Sequence, residues 1–183
     1  MRKTDFKNNI VLGCIKSDLT RMKDSIRPDL SKKGNNNFSL ALCVISYMEY
    51  LGGFLLGADK KFKDNVEKYI STCFKYPEEY PIAILREFFR NGLACEYLLQ
   101  GGVISRNGKR PAIYKDKVFN IVIDAETLVN DFIDSLEIFI NKLKTSKYEK
   151  RMKIALSEIN EFEDKYDDFI NKLENQPGDD KAM

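Results

Sequence analysis

Histidine and tryptophan are both absent from this 183-residue chain. Histidine is the side chain whose ordinary pKa lies closest to neutral pH, and it is the commonest metal ligand in proteins. Its absence excludes acid–base catalysis by histidine and every histidine-ligated metal site. We therefore expect neither a bound metal nor a cofactor.

Cysteine is scarce, and no two cysteines lie close together in the sequence. The chain has four, Cys14, Cys43, Cys73 and Cys95, and three of them fall within apolar helical patterns. Isolated cysteines in such patterns are usually buried free thiols, which persist in reducing compartments. The sequence therefore predicts buried thiols and a cytoplasmic location.

Long uninterrupted apolar runs are also missing. The N-terminal residues MRKTDFKNN lack the apolar core of a signal peptide, and polar residues such as Ser46 and Glu49 interrupt the most apolar stretch, 40–57. A membrane-spanning helix needs about 20 predominantly apolar residues. We expect 40–57 to form a core helix and the protein to have no membrane partner.

The composition is that of one soluble domain, with 43% hydrophobic and 32% charged residues. Charge is unevenly spread along the chain. Residues 1–148 carry 24 lysines and arginines against 18 acidic residues, whereas residues 149–183 carry 6 against 10. A basic body permits binding to a polyanion but does not require it.

Apolar residues recur at helical spacing through most of the chain, which predicts a mainly all-α fold. The expected architecture is a bundle of four to five helices over 1–146, followed by a C-terminal amphipathic helix and a disordered tail at 175–183. The C-terminal helix either packs on its own chain or pairs as a coiled-coil-like arm. Gly52 and Gly53 predict close contact between backbones. The predicted helices are 5–26, 37–57, 59–75, 80–100, 124–144 and 147–174.

A different pattern occupies residues 103–123. Asn107-Gly108 separates two short alternating apolar runs, which favours a β-hairpin, and a third run allows a meander. The insertion is rich in basic residues, including Arg106 and Arg110. Two interpretations remain open: a solvated hairpin with ordinary surface charges, or a basic arm that binds nucleic acid or a partner.

The stretch Ile82 to Tyr97, IAILREFFRNGLACEY, has the densest set of chemically useful side chains. On a helix Glu87, Asn91 and Cys95 would share one face. Arg86 and Arg90 would form a neighbouring row. Arginine and amide donors grouped in this way are suited to holding a phosphate. We take these residues as candidate binding residues.

Arg90-Asn91-(x3)-Cys95-x-Tyr97 resembles the Arg-x4-His-x-Tyr motif of the HEPN superfamily, with Cys95 in place of the histidine. HEPN domains are compact four- or five-helix bundles, and at that level the resemblance covers residues 5–145. The phrase FRNGLACEYLLQGGVISR is also similar to bacterial uncharacterised HEPN-like proteins that follow the motif helix with a hairpin.

The resemblance implies a homodimer in which two motif helices form one cleft. Active members are metal-independent endoribonucleases, so Arg90 would hold the scissile phosphate and Asn91 would support it. Tyr97 matches the position that antitoxins modify in some relatives. An ordinary thiol at Cys95 is a weak general base at neutral pH.

The leading hypothesis is therefore a degenerate ribonuclease that acts as a binding or regulatory protein, connected with toxin–antitoxin systems or phage defence. It would contact RNA and a cognate antitoxin. Two alternatives remain: an active ribonuclease that uses Arg90 and Cys95, and a purely structural bundle for protein interactions.

Overall fold

The fold is mainly helical, with one small β-sheet. The computed structural model describes residues 3–25, 37–57, 62–86, 102–118 and 120–174. Helix α1 comprises three consecutive segments, of which the second is π-helical: Lys3–Asp5, Phe6–Lys16 and Ser17–Ser25. The other α-helices are α2 Asn37–Leu56, α3 Phe62–Cys73, α4 Ile82–Arg86, α5 Ala125–Leu143 and α6 Ser146–Glu174, and a short 3₁₀ helix spans Pro77–Glu79.

These helices confirm the predicted mainly helical fold, and their ends differ from the predicted ones by a few residues. Residues 87–100 of the fourth predicted helix and the tail 175–183 lie outside the described residues. The prediction was most accurate for α5, where Asp124 caps the helix by accepting a hydrogen bond from Thr127 N at 2.9 Å.

Helix α2 lies at the centre of the bundle because it is apolar around most of its circumference. It packs against α3, α5 and α6. Among the described helices it alone is both long and apolar enough to cross a membrane, and 50% of its most apolar window is buried inside the protein. Its contacts with three other helices make α2 a core helix of the bundle, as the sequence predicts.

The predicted close backbone contact occurs at Gly52. A Cβ atom added there would lie 2.0 Å from the carbonyl oxygen of Asn65 in α3. Gly53 differs, since an added Cβ would meet only Asn65 Nδ2, at 3.8 Å. The packing of α3 on α2 therefore depends on the first of the two glycines.

Gly52→Ala and Gly53→Ala form a matched pair with opposite expected effects. Gly52→Ala should lower the free energy of unfolding by about 2 kcal/mol, because the backbone of α3 must move. Gly53→Ala should be neutral or stabilising by up to about 1 kcal/mol, because alanine favours the helix. Urea unfolding monitored by circular dichroism measures both, and equal destabilisation would contradict the close contact.

The sheet contains three strands in the order β1-β3-β2: β1 Gly102–Ser105, β2 Ile113–Asp116 and β3 Asn120–Asp124. β3 runs parallel to β1 and antiparallel to β2. The prediction of a hairpin whose two strands pair across Asn107-Gly108 was therefore wrong, although Gly108 does adopt a positive φ of 64°. The predicted third strand is present, and it occupies the centre.

The sequence of β3 explains its central position. Ile121, Val122 and Ile123 form an unbroken β-branched run, and the last two are buried. Strands covered on both faces carry such continuous apolar runs, whereas an alternating strand such as β2 suits an edge. The long loop 106–112 allows β3 to lie between the other two strands.

The described cysteines are free, but they are not uniformly buried. Cys73 is buried, Cys43 is half-buried and Cys14 is exposed. The prediction of a buried thiol was wrong for Cys14, because its position on α1 faces solvent. Cys95 lies outside the described residues.

Cys73 should resist alkylation in the native protein. Burial raises the pKa of its thiol to about 12, so little thiolate forms between pH 7 and 9. Cys14 should label readily because it is exposed. Mass spectrometry after iodoacetamide treatment, with urea-denatured protein as the control, checks this expectation. Equal labelling of the two thiols in native protein would contradict it.

Candidate functional site

The predicted site residues divide into two groups. Glu87, Arg90, Asn91, Cys95 and Tyr97 lie outside the described residues, so their roles remain predictions. The second group consists of Arg86, Arg106 and Arg110. The structure gives the backbone position of Arg86, the last residue of α4, and the full side-chain placement of Arg106 and Arg110.

Helix α4, which leads into the motif segment, is firmly attached to the bundle. Leu85 is fully buried, and the ring of buried Tyr80 packs edge-on against Phe74 with 4.7 Å between centroids. The Tyr80 hydroxyl donates to Asp131 Oδ2 of α5 at 2.5 Å. Burial, helped by this hydrogen bond, raises the pKa of Tyr80, so the phenol remains a donor at physiological pH.

Arg110 completes this cluster from the loop between β1 and β2. Its Nη1 pairs with Glu79 Oε2 at 2.8 Å, and its Nη2 pairs with Asp131. The guanidinium also lies over the ring of Tyr76, with 4.5 Å to the centroid. Although its side chain is 41% exposed, the charge of Arg110 is already matched by two carboxylates.

Arg106 is engaged even more completely. Its side chain is only 5% exposed, and Nε donates to Glu126 Oε2 at 2.6 Å. Its Nη2 donates to the carbonyl oxygen of Lys23 at 2.5 Å. Arg106 thereby fastens the loop to both α1 and α5, which is a structural task.

Asp124 is the second point of attachment for this loop, and it is fully buried. Besides capping α5 through Thr127, it accepts backbone N–H groups from Asn107 at 2.7 Å and Gly108 at 3.1 Å. The Ser105 hydroxyl donates to the same carboxylate at 3.1 Å. One side chain therefore joins a strand, a loop and a helix.

The two arginine placements bear on the basic-arm interpretation. Arg106 and Arg110 are both paired with carboxylates, and the exposed lysines of the insertion are Lys109, Lys115 and Lys117. Lys109 lies in the loop at one end of the sheet, whereas Lys117 follows β2 at the other end. The insertion is thus held to the bundle by its arginines, and its exposed lysines do not form one continuous basic surface.

A pocket of about 460 Å³ lies between α4 and the sheet. Pro81 and Ile84 line it from the helix side. From the sheet side it is lined by Ile113, Tyr114, Lys115 and Ile121. Apolar walls with one phenol and one ammonium group suit a planar ring that carries a nearby negative charge. The pocket adjoins the residues that lead into the motif segment.

No family model, curated protein or solved structure matches the chain. The assignment of function therefore rests on the residues themselves. Within the described part of the chain, no group of three or more cysteine, aspartate and glutamate side chains is placed to hold a metal ion.

Sequence reasoning recognised Asp124 only as a helix cap and missed the roles of Asp131, Glu126 and Tyr80. The signal for Asp124 was its place between an apolar strand and an amphipathic helix. The partners of Asp131 and Glu126 are distant in sequence, so no local pattern identifies them.

Proposed function

We propose that this chain is a HEPN-like homodimeric regulatory protein that contacts RNA and does not cleave it. In this proposal Arg90 holds a phosphate, with Asn91 as its polar support. The pocket between α4 and the sheet receives a neighbouring base. Tyr97 is the position that a cognate antitoxin would modify.

The pocket is the observation that carries the proposal. Tyr114 offers a ring on which a base can stack, and base–aromatic stacking contributes about 1–3 kcal/mol per base. Exposed Lys115 stands beside it to attract the backbone. Ile84 lines the same pocket and lies six residues before Arg90 in the sequence, so the proposal joins the pocket and the phosphate clamp in one binding surface.

The absence of histidine argues for binding without cleavage. Ribonuclease chemistry of this kind needs a base to deprotonate the 2′-hydroxyl. An ordinary thiol titrates near 8.5 and is mostly protonated at neutral pH. An arginine clamp without that base holds RNA and leaves the phosphodiester intact.

RNA affinity and its salt dependence test the clamp. Single-stranded RNA labelled with a fluorophore should bind wild-type protein, and Arg90→Ala should weaken binding about tenfold and reduce the salt slope by about one. Tyr114→Ala should weaken binding about tenfold with little change in the salt slope. Arg21→Ala, an exposed arginine on α1, is the matched control. If the control and Arg90→Ala behave alike, the clamp is refuted.

Cleavage assays separate the proposed binding protein from an active ribonuclease. Wild-type protein should leave RNA intact, whereas Cys95→His should restore slow, metal-independent cleavage that disappears again in the Arg90→Ala background. Cleavage by the wild type that is lost in Cys95→Ala would instead make Cys95 a catalytic residue. If neither the wild type nor any variant binds RNA, the remaining hypothesis is the purely structural bundle for protein interactions.

A further inference from the structure

Helix α6 continues far beyond the part of the bundle that covers it. Tyr148 and Tyr166 are 18 residues apart, which is five helical turns, so they share one face of the helix. Tyr148 is 5% exposed, whereas Tyr166 is 55% exposed. Among the α6 side chains that the structure describes, Leu156 is the last that is buried, and it lies about 27 Å along the axis from Glu174.

The second half of α6, residues 158–174, is named the arm. Its sequence continues the apolar spacing of Tyr148 and Met152, with apolar residues three or four positions apart. The face that packs on the bundle in the first half is therefore also apolar in the arm. The apolar positions of the arm are Ile159, Phe162, Tyr166, Phe169, Ile170 and Leu173.

The arm is strongly acidic, with seven aspartates and glutamates against two lysines. Two such arms lying against each other would repel, since like charges would be aligned along their length. The first half of α6 has the opposite sign, with Lys147, Lys150, Arg151 and Lys153 against Glu149. A suitable receptor for the arm is therefore apolar and edged with lysines.

A groove with this chemistry lies between α1 and α5. Leu12, Ile133 and Ile140 supply its apolar surface, and its volume is about 460 Å³. An apolar extension of about 240 Å³ adjoins it at the end of α5. Lysines and two carboxylates surround the surface: Lys7, Lys16, Lys144, Asp134 and Glu137.

Most of the arm lies beyond the reach of the groove of its own chain. The groove ends at Lys144, just before α6 begins, and α6 is one continuous helix from Ser146 to Glu174. The groove follows α5 only from Ile133 to Lys144, about 17 Å, whereas the arm begins about 18 Å and ends about 42 Å along the axis from Ser146.

We propose that the arm of one copy lies in the α1–α5 groove of a second copy, and that the second copy returns the contact. With the two-fold axis perpendicular to α6, the two α6 helices run antiparallel. The acidic arm of each copy then lies beside both the groove lysines and the basic first half of the partner's α6. The contact uses none of the motif residues, so it is independent of the proposed RNA function.

Charge reversal in the groove tests the contact. Lys16→Glu combined with Lys144→Glu should weaken the arm-dependent association at least about tenfold in sedimentation velocity, because like charges would then face the arm. The matched control is Lys109→Glu combined with Lys117→Glu, exposed lysines before and just after β2. Circular dichroism verifies that each variant is folded.

A compensating change distinguishes a specific contact from a general loss of charge. Adding Asp164→Lys and Asp167→Lys to the groove variant should restore association. The inference is overturned if wild-type protein is monomeric up to 100 µM in the same experiment, if the control weakens association equally, or if the compensated protein stays dissociated. Arg90→Ala should leave the arm contact intact, so failure of the RNA function and failure of the arm contact are separately visible.

Discussion

Replacement of Asp124 by alanine is expected to lower the free energy of unfolding by about 4 kcal/mol, more than the other substitutions considered. Its carboxylate accepts four hydrogen bonds, from Ser105, Asn107, Gly108 and Thr127. Loss of a helix cap alone costs about 1 kcal/mol, and each buried donor left without a partner adds about 1–3 kcal/mol. Partial access of water to the loop reduces the simple sum.

Two further variants are compared with Asp124→Ala in their loss of stability. Asp124→Asn keeps the size of the side chain but turns one oxygen into a donor that faces an N–H group, so it should cost about half as much as alanine. Asp134→Ala, an exposed carboxylate on the same helix, should change stability by less than about 0.5 kcal/mol. Urea unfolding followed by far-ultraviolet circular dichroism measures the free energy of unfolding of all three variants. A loss below 1 kcal/mol for Asp124→Ala would contradict the assigned role.

Replacement of Asp131 by alanine is expected to cost about 3 kcal/mol. The buried Tyr80 hydroxyl would lose its acceptor, and Arg110 would keep only Glu79. The Tyr80 contact dominates because a buried donor without a partner costs about 1–3 kcal/mol, whereas an exposed ion pair contributes about 0–1 kcal/mol.

A double-mutant cycle isolates the Tyr80–Asp131 hydrogen bond. Tyr80→Phe and Asp131→Ala should show a coupling of at least about 1 kcal/mol, because each removes the same contact. Arg110→Ala is the comparison, and it should cost less than about 1.5 kcal/mol, since its side chain is 41% exposed. If Arg110→Ala is as damaging as Asp131→Ala, the ion pairs and not the phenol determine the stability of this cluster.

The helices were predictable because their determinants are local. The apolar spacing of α5 and the Asp124 cap both lie within a few residues of the structure that they specify. The contact at Gly52 was also visible, since a glycine inside an apolar helix needs a reason. Its partner, Asn65, was not visible from the sequence.

The strand order was less predictable because a strong local signal competed with a weaker non-local one. Asn107-Gly108 favours a tight turn, and Gly108 does take the left-handed conformation. The buried run Ile121 to Ile123 nevertheless gains more by lying between two strands than at an edge. The turn at Asn107-Gly108 is therefore held against the start of α5 by Asp124, and it does not connect two paired strands.

The arginines show the same limit at the candidate site. In the sequence Arg106 and Arg110 look like a basic patch, because their carboxylate partners Glu126, Glu79 and Asp131 are 20 or more residues away. A residue's charge shows what it can bind, but only the fold shows whether that charge is already matched.

The most direct test of the RNA proposal is to map the contact by ultraviolet cross-linking and tryptic mass spectrometry. The proposal places RNA between the motif and the sheet, so cross-links should fall in peptide 91–106, which contains Cys95 and Tyr97, and in peptide 110–115, which contains Tyr114. Both cross-links should weaken in Arg90→Ala, in which the first peptide becomes 87–106 because the tryptic site after residue 90 is lost. Cross-links confined to α1 or α6, or unchanged by that substitution, would contradict the account.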